Sequence, residues 1–220
     1  MEEQVGSGEF WTHESGSYGI IYGKTLVEFF STDSNGSGIL LRELYRQNGF
    51  HAALVKSFDR DFMHSCAKLG WASSVAGFLF RERIARDQTA FPGAEMRAAI
   101  AADATALWAI NDDFFESKGE IVSLARTSKL WTVQLDGKTA GCGVSNRFIE
   151  DCEAVDVGML VGKDFRRRGL GTYIVNQIAN NIEKYGLRPI CGCGASNLAS
   201  KATLERAGFV SKHQLLSFKT

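Results

Sequence analysis

Proline is nearly missing from this chain: 220 residues contain two, Pro92 and Pro189. That excludes a proline-rich linker or a polyproline architecture. Net charge is missing too. Lysine and arginine total 25, and so do aspartate and glutamate, so the chain as a whole has no electrostatic reason to seek nucleic acid or an anionic membrane. No run approaches the ~18 uninterrupted apolar residues of a membrane span. The first stretch, MEEQVGSGEFWTHES, is acidic and polar and lacks the apolar segment of a signal peptide. Five cysteines (Cys66, Cys142, Cys152, Cys191 and Cys193) are odd in number and irregular in spacing. Reduced thiols in a cytoplasmic protein are the simplest reading.

What is present is ordinary globular material, 45% apolar and 23% charged. The length suits one large domain or two small ones. Residues 82–95, ERIARDQTAFPGAE, are charged and turn-rich, and FPGAE is the best linker candidate. It divides the chain into residues 1–90 and residues 91–220. In the second part, EMRAAI reads as a strand. ADATALWAINDDFFES reads as helix, with Asp103 at its N-cap and Ala106, Leu107, Ile110 and Phe114 at helical spacing. LWTVQLD alternates, placing Trp131, Val133 and Leu135 opposite Thr132 and Gln134. Asp136-Gly137 then signals a hairpin into KTAGCGVSNRF. AVDVGMLV, Ala154–Val161, is nearly continuous apolar sequence, as in a buried strand.

The next segment carries the chemistry. FRRRGLGTYIVNQIANNIEKYG sets three arginines and a Gly-x-Gly turn before an amphipathic helix marked by Ile174, Ile178, Ile182 and Tyr185. A strand, a glycine turn and a helix make an anion site, because the first helical N–H groups have no intrahelical partners and the macrodipole is positive there. Gly169 and Gly171 let a phosphate approach the backbone, and Arg166, Arg167 and Arg168 offer forked donors. A P-loop is excluded, since no Lys-Ser/Thr follows the second glycine. A dinucleotide fingerprint is excluded as well, since position 174 is Ile. The βαβ step from Ala154 to Ser196 predicts a right-handed parallel crossover.

Two motifs in order resemble the acyl-CoA N-acyltransferase (GNAT) superfamily. One is Arg166-Arg167-Arg168-Gly169-Leu170-Gly171 after a buried strand. The other is ASNLASKATLERAGF, in which Asn197, Ser200, Glu205, Arg206, Gly208 and Phe209 fit a second signature. The resemblance covers roughly residues 95–220 and implies a mixed α/β fold, a central mixed sheet flanked by helices. It implies that the backbone of Met159, Leu160 and Val161 pairs with a pantetheine arm, with a Leu160 or Val161 amide polarising the thioester carbonyl. The amides from Arg167 through Gly169, Leu170 and Gly171 to Thr172 hold the diphosphate of acetyl-CoA, aided by Arg166 and Arg168. Asn197 contacts the pantetheine or fixes the strand splay that admits it. The reaction implied is direct attack of an amine, from a small molecule or a peptide, on the acyl thioester, with no metal. Many relatives carry a tyrosine acid where this chain has Leu204, which leaves Ser200 as the substitute. Glu153 and Asp156, at the start of the buried strand, are the candidate bases. Homodimers are common in the family.

Residues 1–90 echo the second part. Gly36-x-Gly38 precedes a helix with Ile39, Leu40, Leu41 and Leu44. HAALVKSF supplies a strand, and Asp59 precedes Gly70-Trp71 by the spacing that separates Asn197 from Gly208-Phe209. This reads as a degenerate half-copy, a partial GNAT-like lobe without the arginines and so not expected to bind CoA. Other residues have plain readings. Cys191 and Cys193 are expected as small core residues, since no paired C-x-x-C accompanies them. His13 and His51 are expected in surface turns, and His64 is expected to pack. His213 lies near the C-terminal strands, where acceptor sites of the family form. Trp108, Phe114 and Phe115 are expected to line the core or an acceptor cleft.

Overall fold

The computed structural model describes residues 6–86 and 90–220. The readings of residues 1–5, and of positions 87–89 within the linker stretch, lie outside the described residues. The first strands described are three antiparallel ones: β1 (Glu9–Thr12), β2 (Tyr18–Tyr22) and β3 (Thr25–Phe30). They are followed by α1 (Ser37–Asn48), β4 (Ala52–Lys56), α2 (Arg60–Lys68), β5 (Ala72–Phe80) and the short β6 (Glu82–Arg83). Then come β7 (Ala94–Ala98), α3 (Ala104–Ala109), α4 (Lys118–Arg126), β8 (Leu130–Leu135), β9 (Lys138–Asn146) and β10 (Ala154–Val161). The chain ends with α5 (Leu170–Lys184), β11 (Arg188–Gly194), α6 (Leu198–Arg206), β12 (Phe209–Val210) and β13 (His213–Lys219).

These elements form two compact units that are not consecutive in sequence. One holds residues 1–79, 192–197 and 211–220; the other holds 80–191 and 198–210. The division expected near residue 90 follows the chain, whereas the units exchange segments at the C-terminal end. Strand β13 is the reason: it pairs antiparallel with both β4 and β5, closing the first unit's sheet. Within it β3 and β4 pair in parallel, at Thr25↔Ala52 and Leu26↔Ala53. Leu26, Leu41, Leu44, Phe50, Val55, Phe62 and Phe218 form its core. The order β1-β2-β3-α1-β4-α2-β5 repeats in β8-β9-β10-α5-β11-α6-β12, which is the half-copy that the sequence suggested.

In the second unit β7, β8, β9 and β10 form an antiparallel ladder and β11 joins β10 in parallel. Helix α5 packs so closely on β9 that a Cβ at Gly143 would collide with Ile174 and Ile178, and one at Gly141 would press on Ile174 and the Leu160 carbonyl. The opposite face is covered by α3 and α4, where Leu107, Phe115, Ile121, Leu130, Cys142 and Leu160 pack together.

Local departures from the sequence pattern have identifiable causes. The expected helix from Asp103 stops at Ile110 because Asn111 captures the backbone: its Oδ1 accepts the amides of Phe114 and Phe115 at 3.1 and 3.0 Å. Phe114 therefore lies in a loop. Helix α4, which the spacing did not reveal, starts at Ser117, whose hydroxyl accepts the Glu120 amide at 3.1 Å. Asp103 does not cap forwards. Its carboxylate accepts the Ile100 amide at 2.9 Å, two Arg97 bonds at 2.7 Å and the Thr132 hydroxyl at 3.2 Å. Thr132 is consequently buried, against the expected alternation, and an irregularity at Val133/Gln134 shifts the β8–β9 register. His64 is exposed on α2 rather than packed.

Arg83 ties β6 to the back of α5. Its side chain is 1% exposed and donates to Glu183 at 2.7 Å, Asn176 at 3.0 Å, Asn180 at 2.8 Å and the Ala207 carbonyl at 2.9 Å. Removing the guanidinium strands buried acceptors. Arg83→Met should cost about 3 kcal/mol in urea denaturation; a loss below ~1 kcal/mol would refute this role. Asp103 gives a pH signature. The Arg97 guanidinium holds its carboxyl below the usual range. Its contribution is thus complete above the ordinary carboxylate pKa of about 3.9 and is lost as pH falls through the lower folded value. Urea midpoints of wild type and Asp103→Asn should diverge above pH ~4 and converge in stronger acid.

Candidate functional site

Strand β10 presents two different faces. Leu160 packs with Leu107 and Phe115, and Phe114 lies 3.1 Å from where a Gly158 Cβ would be, so this face looks toward α3, α4 and their loop. Asp156 shares it by strand alternation. On the other face Met159 and Val161 point at the start of α5: Met159 Sδ and Val161 Cγ2 lie 3.2 and 3.5 Å from a Gly171 Cβ position. A third neighbour there is Thr203 of α6 at 3.1 Å, so a side chain at 171 would crowd both β10 and α6.

The parallel ladder between β10 and β11 is short. It runs Ala154↔Arg188, Val155↔Pro189 and Asp156↔Ile190 and goes no further, so Val157–Val161 are paired along their β9 edge. Among the described residues no ladder covers their other edge. An extended chain with amide and carbonyl groups can dock there as a strand does.

Beyond β10 the backbone turns through two left-handed residues, Arg167 at φ 62° and Gly169 at φ 86°. Such a turn aims successive N–H groups into one concavity, a nest for anions. Gly169 serves as N-cap of α5 with no side-chain cap, so the first amides of a 15-residue helix stay available. The sequence grouped three arginines here, and the structure separates them. Arg166 donates through Nε to the Val161 carbonyl and through Nη2 to Asp112, both at 2.9 Å, so its guanidinium braces the turn. Lys163 joins it on Asp112 at 3.0 Å, and these two cations hold the Asp112 carboxyl below its usual range. Arg167 and Arg168 are exposed, and among the described residues neither has an ion pair or a side-chain hydrogen bond.

A model of the acetyltransferase (GNAT) family matches residues 94–209, more than half of the chain. The chain belongs to the GNAT acetyltransferase family. No curated protein matches it. Among solved structures, a GNAT-family acetyltransferase from Colwellia psychrerythraea superposes with a TM-score of 0.82 at 16% identity, over 98% of this chain and 86% of that one. A GCN5-related N-acetyltransferase from Sphaerobacter thermophilus gives 0.68 at 13% identity, over 94% and 78%. A tandem GNAT protein from the clavulanic acid biosynthesis pathway gives 0.67 at 15% identity, over 94% and 80%. At these identities the likeness is one of fold, and it extends through the N-terminal half.

The GNAT framework locates the remaining candidates. Ser200 is half-buried in the first turn of α6. Leu204, in the position of the tyrosine of many GNAT proteins, is buried and offers no proton. Asn197 belongs to the first unit, where it is exposed and its amide donates to the Gly194 carbonyl at 3.0 Å. Asp156 is half-buried where the β10–β11 ladder ends. Glu153 is exposed before the strand, its carbonyl taken by the Arg188 amide at 2.8 Å. Extended backbone rises about 3.3 Å per residue, which leaves Glu153 about 23 Å and Asp156 about 13 Å from Leu160. A cavity of about 500 Å³ lies in the α3–α4 loop, lined by Trp108, Asn111, Asp113, Phe115 and Glu116. His213 packs edge-on against Phe58 in the other unit. Cys142 and Cys66 are buried, and burial pushes both thiols up to about 12, so neither supplies a thiolate nucleophile near neutrality. Among the described residues no three His, Cys, Asp or Glu side chains gather as metal ligands, and no helix is long and apolar enough to cross a membrane.

The sequence missed Asp112, whose role depends on a loop reaching the arginines from far back in the chain. Asp-Asp after a broken helix was the available signal. Gly169→Asp tests the anion nest. Aspartate tolerates the left-handed region at a cost of about 1 kcal/mol, so the variant should fold. Its carboxylate should abolish CoA binding in calorimetry; unchanged affinity would show that the diphosphate lies elsewhere.

Proposed function

We propose that the protein is a cytoplasmic N-acetyltransferase that moves an acetyl group from acetyl-CoA to a primary amine of a small molecule or peptide. The observation that carries this reading is the pairing of an uncovered β10 edge with an uncapped, doubly left-handed turn at the next helix. One feature suits an amide-bearing arm and the other suits its diphosphate. The amides from Arg167 to Thr172 hold the phosphates, with Arg167 and Arg168 adding charge; Arg166 supports the turn from behind. The Met159–Val161 backbone aligns the pantetheine, and the Leu160 or Val161 amide points at the thioester oxygen. A fixed donor at that oxygen is worth about 3 kcal/mol in acyl transfer.

The amine nitrogen attacks the carbonyl carbon, a C–N bond forms, and the C–S bond breaks. The ammonium proton leaves through water to Asp156, which shares a face of β10 with the α3–α4 loop and is the stronger of the two carboxylate candidates. Glu153 is the weaker, on distance. The departing thiolate takes its proton from the Ser200 hydroxyl or from solvent. Direct attack fits the absence of a thiolate at Cys66 or Cys142. The aromatic and acidic wall of Trp108, Asp113, Phe115 and Glu116 suits an amine acceptor.

Buried Leu204 supports one other reading, a protein that binds acyl-CoA without turning it over. Release of free thiol from acetyl-CoA across a panel of primary amines separates the two. Amine-dependent release is expected. Silence on every amine, with CoA still bound, would leave only the binding protein.

A further inference from the structure

Two aromatic side chains from distant parts of the sequence meet beside the anion nest. Phe91 Cε2 lies 4.0 Å from the position a Cβ would take at Gly169. The Phe91 ring sits against Tyr173, centroids 5.8 Å apart and planes at 49°. They are tilted rather than stacked, so neither ring covers the other's face, and both residues are half-buried. Tyr173 belongs to the first turn of α5, its amide bonded to the Gly169 carbonyl at 3.1 Å. Helical side chains lean toward the N-terminus, which directs this ring toward the start of the helix.

Phe91 is held in place by its own turn. Its carbonyl accepts the Ala94 amide at 3.0 Å across Pro92 and Gly93, and Gly93 has φ 76°, the pattern of a type II turn. The Gly93 carbonyl in turn accepts the Asp136 amide of the β8–β9 hairpin at 3.4 Å. The ring is thus preorganised before any ligand arrives. An inorganic phosphate has no use for such a wall. A ligand that joins a diphosphate to a flat heterocycle does, because a base stacks on an aromatic face while its phosphates occupy the amides.

We propose that Phe91, with Tyr173, is the platform for the adenine base of the acyl donor, so that the enzyme selects a nucleotide thioester over a phosphopantetheine arm carried on a protein. This rests on the phosphate-nest reading above. It adds a specificity residue from outside both sequence motifs. A protein-borne arm ends at its single phosphate and would leave the rings bare.

The test is calorimetric titration of the full chain with coenzyme A, with adenosine 3′,5′-bisphosphate and with 4′-phosphopantetheine. Wild type is compared with Phe91→Ala, Phe91→Leu and Phe91→Trp. Stacking of one base on an aromatic ring corresponds to roughly 5- to 150-fold in affinity. Phe91→Ala and Phe91→Leu should each weaken both adenine ligands about tenfold or more. Neither should shift 4′-phosphopantetheine, and Phe91→Trp should restore the loss. Leucine retaining full affinity would show packing rather than stacking and overturn the platform. So would equal weakening of all three ligands. Wild type failing to bind coenzyme A at all would instead overturn the nest, and the platform with it.

Discussion

The site depends on one unsatisfied set of donors: the amides at the start of α5, left free because the preceding residue is a left-handed glycine with no capping side chain. A serine or aspartate in that place would close them with its own oxygen. Keeping them open at a surface is tolerable only while water or a ligand anion serves as partner. The surroundings are arranged around that opening. Arg166 is turned back to the Val161 carbonyl and Asp112, which fixes the turn without filling it. Gly171 keeps Met159, Val161 and Thr203 clear of the helix start. The β10–β11 ladder ends early enough to leave the adjoining strand edge for an extended ligand.

The two halves of the chain show what happens when that constraint is lifted. Both follow the same element order, and both limit their parallel pairing to a few residues after the third strand. In the first half the segment before α1 carries no arginine. The Asp33 carboxylate accepts the Asn35 amide at 2.9 Å and lies against Gly36, the N-cap of α1. An anion built into the chain thus sits where the second half offers free amides. Phe29 and Phe62 pack against each other in the core of that half with centroids 5.5 Å apart. The same architecture serves as a filled core in one half and as an open seat in the other.

Much of this was legible in the residues. The glycine turn, the buried strand before it and the amphipathic helix after it are local signals, and local signals survive folding. The repeat in the first half was visible in its helix-strand-helix spacing, although β1, β2 and β3 were not. They are short, and exposed Phe10 and Phe30 stack across strands on half-buried Tyr18 rather than alternate with polar residues. The helix beginning at Asp103 was read too long because periodicity ignores what an asparagine side chain can do to the backbone. The three arginines looked equivalent in sequence and are not. What distinguishes Arg166 from its neighbours is its bonds to the Val161 carbonyl and to Asp112, and the second of these joins residues 54 positions apart. The route of β13 into the first unit is likewise a long-range pairing with no local mark.

The central claim is that a diphosphate binds the free amides of residues 167–172. Amide chemical shifts of uniformly ¹⁵N-labelled protein, followed during titration with coenzyme A, report on it directly. The account predicts saturable shifts largest at Gly169, Leu170, Gly171 and Thr172, with smaller ones along Met159–Val161. Saturation with those amides unmoved, or shifts centred on the first unit, would contradict it.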